Sequence, residues 1–251
     1  MTTKKALCII PCFNEEKRIN ALIKEISDLD DTYIDWLILN NGSTDNTFEH
    51  FKNVEKYNVK ENILTLNKEF NTGYGSGIKF AITSIFENLE KSNFSYKFFI
   101  WTHADGQTPL RDVLEALKIA ENIKDNKLIV KGKRKIRKDG LISKFFEFFL
   151  NTLISICYSD QITNPYSQPT LVTNKLIKEL ISKTPDNGIF DFSILIKSLR
   201  LNVNLVRFPV IFYKRENGFG SNENLMQKIR FSIFNLLFIL KNKNIKKSSL
   251  D

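Results

Sequence analysis

Five short apolar runs recur in the first half of the chain, each too continuous to lie on a half-exposed surface. They are ALCIIP (6–11), IDWLIL (34–39), NILTL (62–66), KFFIWT (97–102) and KLIVK (127–131). Runs of this length, rich in β-branched and aromatic residues, have the pattern of strands buried on both faces. Segments of helical period separate them, near 15–27, 44–56, 74–90 and 109–124. Strand and helix in repeated alternation imply a fold of the α/β class, with a mostly parallel central sheet flanked by helices.

Each of the first four predicted strands runs into a polar cluster: PCFNEE, NNGSTDNT, NKEFNTGYGSG and HADGQTP in turn. In an open α/β sheet, ligands bind beyond the carboxyl ends of the strands, so four such clusters define one crevice. The second half is less regular. It predicts an amphipathic helix over 141–158, a loop SDQITNPYSQP, helices near 174–183 and 190–200, a strand over 203–213 and a glycine-bearing loop KRENGFGSN. No repeat and no linker rich in Pro, Gly or Ser divides the 251 residues, which fit one domain over 1–241 followed by a basic tail, 242–251.

Composition narrows the partners. A net charge of +9 suits an anion, whether nucleic acid, membrane surface or a phosphate-bearing small molecule. No aromatic RNA-recognition motif, helix-turn-helix signature or zinc-finger spacing is present, so nucleic acid is not expected. Cys8, Cys12 and Cys157 form no CxxC pair and no disulfide framework, which predicts a reducing cytosol. The N-terminal apolar run is too short for a signal peptide, and no stretch reaches the roughly 20 apolar residues of a spanning helix. LISKFFEFFLNTLISICY contains Lys144, Glu147 and Asn151, and IRFSIFNLLFIL is too short. The expected location is cytoplasmic.

Three clusters suggest chemistry. In NNGSTDNT, Ser43 or Thr44 is placed to cap the next helix, whose exposed amides favour an anion. NTGYGSG has neither the GxGxxG nor the GxxxxGK[ST] spacing, and taken singly it reads as a tight turn into a helix. His103, Asp105 and Gln107 alternate; on an extended segment they would face one side and converge on manganese or magnesium. The plainer alternative makes His103 a hydrogen-bonded strand-end residue and Asp105 a turn residue before Gly106.

Taken in order, these motifs resemble the inverting glycosyltransferases of family 2, which have the GT-A nucleotide-sugar fold. IIPCFNEEKRI is similar to that family's opening P-x-[FY]-N-E, NNGSTDNT to D-D-G-S-x-D-x-T, and NTGYGSGI to N-x-G-x-G-x-[AG]. HADGQTP resembles the D-A-D-x-Q-x-P of the polyprenyl-phosphate sugar synthase branch, which includes dolichol-phosphate mannose synthase. KGKRK stands where G-S-R is usual, while NPYSQPTLVTNKLI and RFPVIFYKRENGFGS are similar to that branch's later loops. Two departures stand out: Asn40 and Asn41 replace paired acids, and His103 replaces the first metal-facing acid.

The resemblance implies a nucleotide-binding half (1–131) and an acceptor half (132–241). A nucleotide diphosphate sugar would be held by Pro11, Phe13, Asn14, Glu15, Asn40, Asn41, Ser43, Asp45, Gly73, Gly75 and Asp105. Mn2+ or Mg2+ would sit on His103, Asp105 and Gln107. If the acceptor is a hydroxyl, Asp191 is the expected general base, although a carboxylate in a helix's first turn is also favoured by the dipole alone. If it is a lipid phosphate, Arg134, Arg215 and Ser221 would hold it, with Gln168 also on the acceptor side. The acceptor is then polyprenyl phosphate or a glycan, in cell-surface polysaccharide or glycolipid synthesis. The segments 141–158 and 229–240 would make peripheral contact with an anionic membrane at its inner face. Should Asn40 or Asn41 reach the base, uridine and cytidine would be poorly distinguished or cytidine preferred, because an amide offers both donor and acceptor; the plainer alternative is that both only brace the turn before Gly42. The competing expectations are an idle nucleotide-binding relative and a basic nucleic-acid binder.

Overall fold

The computed structural model describes residues 5–29, 31–56, 61–89, 95–215 and 224–242. The first half alternates as the apolar runs predict: β1 (Ala6–Cys12), α1 (Glu16–Asp28), β2 (Ile34–Asn41), α2 (Thr47–Lys56), β3 (Ile63–Lys68), α3 (Tyr74–Leu89), β4 (Phe98–Trp101) and α4 (Arg111–Glu121). There follow β5 (Leu128–Arg137), α5 (Leu141–Cys157), β6 (Thr170–Thr173), α6 (Asn174–Leu180), α7 (Phe190–Ser198), β7 (Asn204–Phe212) and α8 (Leu225–Asn242).

One seven-stranded sheet runs in the order β3-β2-β1-β4-β6-β5-β7. The pairs β1–β2, β1–β4, β2–β3 and β5–β7 are parallel, while β6 is antiparallel to both β4 and β5. Six strands therefore point one way, and their carboxyl ends share one edge. β6 was not expected from the sequence: its four residues, TLVT, lie where the acceptor loop was read. β5 also continues past Lys131 to Arg137, so the division into halves at 131/132 falls inside a strand.

Continuous apolarity has the predicted cause. On β1, Ala6, Cys8, Ile10 and Cys12 pack with Ile19 and Leu22 of α1 and Val113 of α4. The alternate residues, Leu7 and Ile9, pack with Ile78 and Ile82 of α3 and Phe190 of α7. Each of the buried leucine, isoleucine, valine and phenylalanine side chains contributes about 1.5–3 kcal/mol. A third cluster, around Ile154, Tyr158, Phe192 and Ile239, seats α5 and α8 against α7.

Candidate functional site

At the carboxyl edge, the loops after β1 and β2 lock onto each other. Asn14 takes φ 56, a left-handed conformation asparagine tolerates. Its N–H donates to Ser43 Oγ (3.1 Å), and its Oδ1 accepts from Thr44 N (2.8 Å). Glu15 N donates to Thr47 Oγ1 (2.8 Å) and Glu16 N to Asp45 Oδ2 (3.2 Å). Burial pushes the Asp45 carboxyl up, but hydrogen bonds from Thr47 and Glu16 outweigh it and hold it below its usual value.

Asn40 and Asn41 are both buried. Asn40 Oδ1 accepts from Ser43 N (3.1 Å) while its Nδ2 donates to Asn67 Oδ1 (2.7 Å). Asn41 Nδ2 donates to Gly73 O (3.3 Å). These amides brace the turn at Gly42, whose φ of 72° and lack of a Cβ admit the backbone of Phe70 and Asn71. Phe13, 44% exposed, and Asn14 remain open to solvent at this edge. Pro11 and Ser43 are partly exposed beside them.

Gly73 and Gly75, expected on the donor, lie against the chain itself. A Cβ at Gly75 would stand 2.6 Å from Pro185 O, and one at Gly73 2.5 Å from Asp186 O. Ser76 N donates to Asp186 O (2.7 Å), and Lys79 Nζ pairs with Asp186 Oδ1 (2.7 Å). This loop is a clamp on the segment preceding α7.

Beyond Trp101 the chain bends instead of staying extended. Gly106 takes φ 73, and Asp105 Oδ1 accepts from Gln107 N (3.0 Å), so strand alternation does not align His103, Asp105 and Gln107. Gln107 Nε2 donates to Tyr213 O (3.1 Å), tying the end of β4 to that of β7. The His103 ring lies on Tyr74, with centroids 5.6 Å apart. Burial lowers the His103 pKa against the pull of Asp105 and Asp191, which keeps a neutral, metal-competent imidazole. Glu15 is ion-paired with Arg215. Burial pushes its carboxyl up to about 7, with Arg215 opposing and Asp105 adding to the rise.

Among the described residues no three His, Cys, Asp or Glu side chains form a closed metal cage. One carboxylate with a neutral imidazole nevertheless fits a manganese or magnesium ion that takes its other ligands from phosphate and water.

The second half supplies a buried network around Asp191, which lies in the first turn of α7 and is 2% exposed. Its Oδ1 accepts from Trp101 Nε1 (3.0 Å), Lys131 Nζ (3.1 Å) and Thr170 Oγ1 (3.2 Å). Its Oδ2 accepts from Gln168 Nε2 (3.1 Å), which also donates to Tyr74 Oη (3.2 Å). Gln168, expected at the acceptor, is thus buried against this carboxylate. Burial lowers Lys131 to about 8, with Asp191 opposing. Arg134 bonds Glu147 Oε1 (2.8 Å) and Tyr166 O (2.7 Å) and stacks on Phe212, 4.2 Å from the ring centroid. Ser221 lies outside the described residues. Lys131, Tyr74, Trp101 and Thr170 were not read from the sequence; a lysine closing an otherwise apolar strand was the available signal.

The model of the Glycosyl transferase family 2 matches residues 7–196. An uncharacterized protein of Methanocaldococcus jannaschii is 33% identical over 160 residues, covering 61% of this chain and 63% of that protein's length. Among solved structures, glucosyl-3-phosphoglycerate synthase from Mycobacterium tuberculosis, in complex with Mn2+, uridine diphosphate and glucosyl-3-phosphoglycerate, superposes with a TM-score of 0.65. It is 17% identical over 98% of this chain and 82% of that one. The same enzyme with Mn2+, UDP-glucose and phosphoglyceric acid gives 0.68 at the same identity and coverage. At these identities the likeness establishes the fold, which is GT-A.

Proposed function

The chain belongs to glycosyl transferase family 2, and from that premise we propose that it is an inverting, metal-dependent transferase moving a sugar from a nucleotide diphosphate sugar to a lipid phosphate. Polyprenyl phosphate is the acceptor class, as in the synthase branch that the motifs resemble, and the product feeds polysaccharide or glycolipid assembly.

The state of Asp191 carries this reading. A hydroxyl acceptor must surrender a proton as it attacks, whereas a phosphate oxygen is already anionic. Asp191 is buried and accepts from four donors, one of them the Lys131 ammonium. A buried carboxylate tied to the fold by Trp101, Lys131 and Gln168 is committed to holding the chain together rather than to an incoming hydroxyl, which favours the chemistry that needs no base. In the transfer, an acceptor phosphate oxygen attacks the anomeric carbon opposite the diphosphate. The C–O bond to the diphosphate breaks, and the configuration inverts.

Manganese or magnesium on Asp105 and His103 would supply positive charge to the departing diphosphate, in keeping with the Mn2+ present in the mycobacterial synthase structures. Arg215 would turn from Glu15 to a phosphate oxygen, a fork that guanidinium matches. Exposed Lys133 and Lys135 on β5 would draw the acceptor's charge. With Asn40 and Asn41 turned into the fold, the base would fall to Phe13, Asn14 and Ser43.

The test is transfer from a panel of nucleotide diphosphate sugars to polyprenyl phosphate or to the corresponding alcohol, with and without Mn2+. We expect metal-dependent transfer to the phosphate alone. Transfer only to the hydroxyl, abolished by Asp191→Asn, would overturn the acceptor assignment.

A further inference from the structure

We propose that the outer face of α5 and α8 is a docking surface for an anionic lipid bilayer; the proposal rests on the lipid-borne acceptor above and names the surface that meets it. Seventeen large hydrophobic side chains are exposed among the described residues, and thirteen of them stand on these two helices. Phe145 and Phe148 on α5 are 66% and 71% exposed, and Ile233 and Leu237 on α8 are 52% and 58% exposed. Single exposed apolar residues are ordinary, but a concentration on two packed helices is not.

The helices are firmly seated on their inner side. Ile154, Tyr158, Asn235 and Ile239 are buried, and Tyr158 Oη donates to Ile239 O (3.1 Å). The apolar outer face is therefore a property of the folded chain.

Charge selects the occupant. Lys144, Arg230 and Lys241 are exposed on the same helices. The one acid of α5, Glu147, is spent on Arg134 and Arg137, and α8 has no acid. A second copy docked isologously would set these cations against their own kind. Anionic headgroups would instead complement them, while the phenylalanines enter the acyl boundary. No described helix is long and apolar enough to cross a membrane, so the pair would lie in the interface plane. On its inner side α5 holds Arg134 through Glu147, so the helix pair adjoins a side chain expected to meet the acceptor phosphate.

The experiment is co-sedimentation of the full chain with vesicles of phosphatidylcholine alone or mixed with phosphatidylglycerol. We expect binding to the mixed vesicles that weakens with salt. Phe148→Ser and Leu237→Ser should each weaken it about tenfold, and Lys144→Glu about fivefold or more. Circular dichroism and nucleotide binding of these variants should match the parent, which excludes misfolding as the cause. Absence of binding to either vesicle overturns the proposal, as does a dimer that these substitutions dissolve while vesicles are ignored. Vesicle binding without transfer to polyprenyl phosphate supports the surface and overturns the acceptor reading. Transfer to a detergent-dispersed acceptor without vesicle binding does the reverse.

Discussion

Lys131 and Asp191 form a wholly buried ion pair, and removing one partner strands the other charge in the core. Lys131→Met is expected to cost about 3–5 kcal/mol in urea unfolding. Adding Asp191→Asn should recover much of that loss; an additive or larger loss in the double variant would show that the charges are not coupled. Glu15 gives a pH signature. It keeps its proton up to about 7 when folded, against an ordinary value of 4.5. Between these values the folded chain binds more protons than the unfolded one, so this group's contribution to stability is full below 4.5 and lost as pH rises through 7. Glu15→Gln should abolish that dependence, visible as a melting-temperature difference from the parent that changes across this window. Asp105→Ala should weaken manganese-dependent nucleotide binding at least tenfold by calorimetry; unchanged binding would remove Asp105 from the metal. The sequence places Glu15 and Asp105 at the edge but not their partners. The loop holding Asn40 and Asn41 is legible and a bracing role at Gly42 is among its readings, whereas the partners Asn67 and Gly73 come from other strands and loops.

At the level of elements, the parallel strands were legible because burial on both faces demands unbroken apolarity, which β1 and β4 obey throughout and β2 obeys from Trp36 to Leu39. β6 was not, because four residues with threonine at both ends carry no periodicity. Its strand character comes from β4 and β5 on either side. The turn after β4 shows why two readings of one segment stay open: alternation in HADGQ signals a strand only if the chain stays extended, and Gly106 with the Asp105 side chain bends it, as the plainer reading has it. The glycine loop before α3 reads on its own as a tight turn into a helix, and only the resemblance makes its glycines donor contacts; they fit the backbone of 185–187. Gly75→Ala should therefore destabilise the chain by about 1–3 kcal/mol. A variant as stable as the parent by thermal melting would mean that the clamp yields freely.

Across the whole molecule, Arg215 and Glu15 join positions 200 residues apart, so the late loop bears directly on the first one. Arg215→Ala is expected to cut transfer by about 1.5–3 kcal/mol, with a smaller effect on nucleotide affinity; equal losses in both would move Arg215 to the donor side. The order of strands has a consequence for synthesis. β5 is made before both of its neighbours, β6 and β7, while β4 presents an open edge that only β6 fills. A nascent chain leaving the ribosome can assemble β1 to β4 as they emerge, but β5, with its Leu-Ile-Val run, has no edge to join until Thr170–Thr173 are out. During that interval the cell must shield an apolar strand whose place in the sheet has not yet been translated.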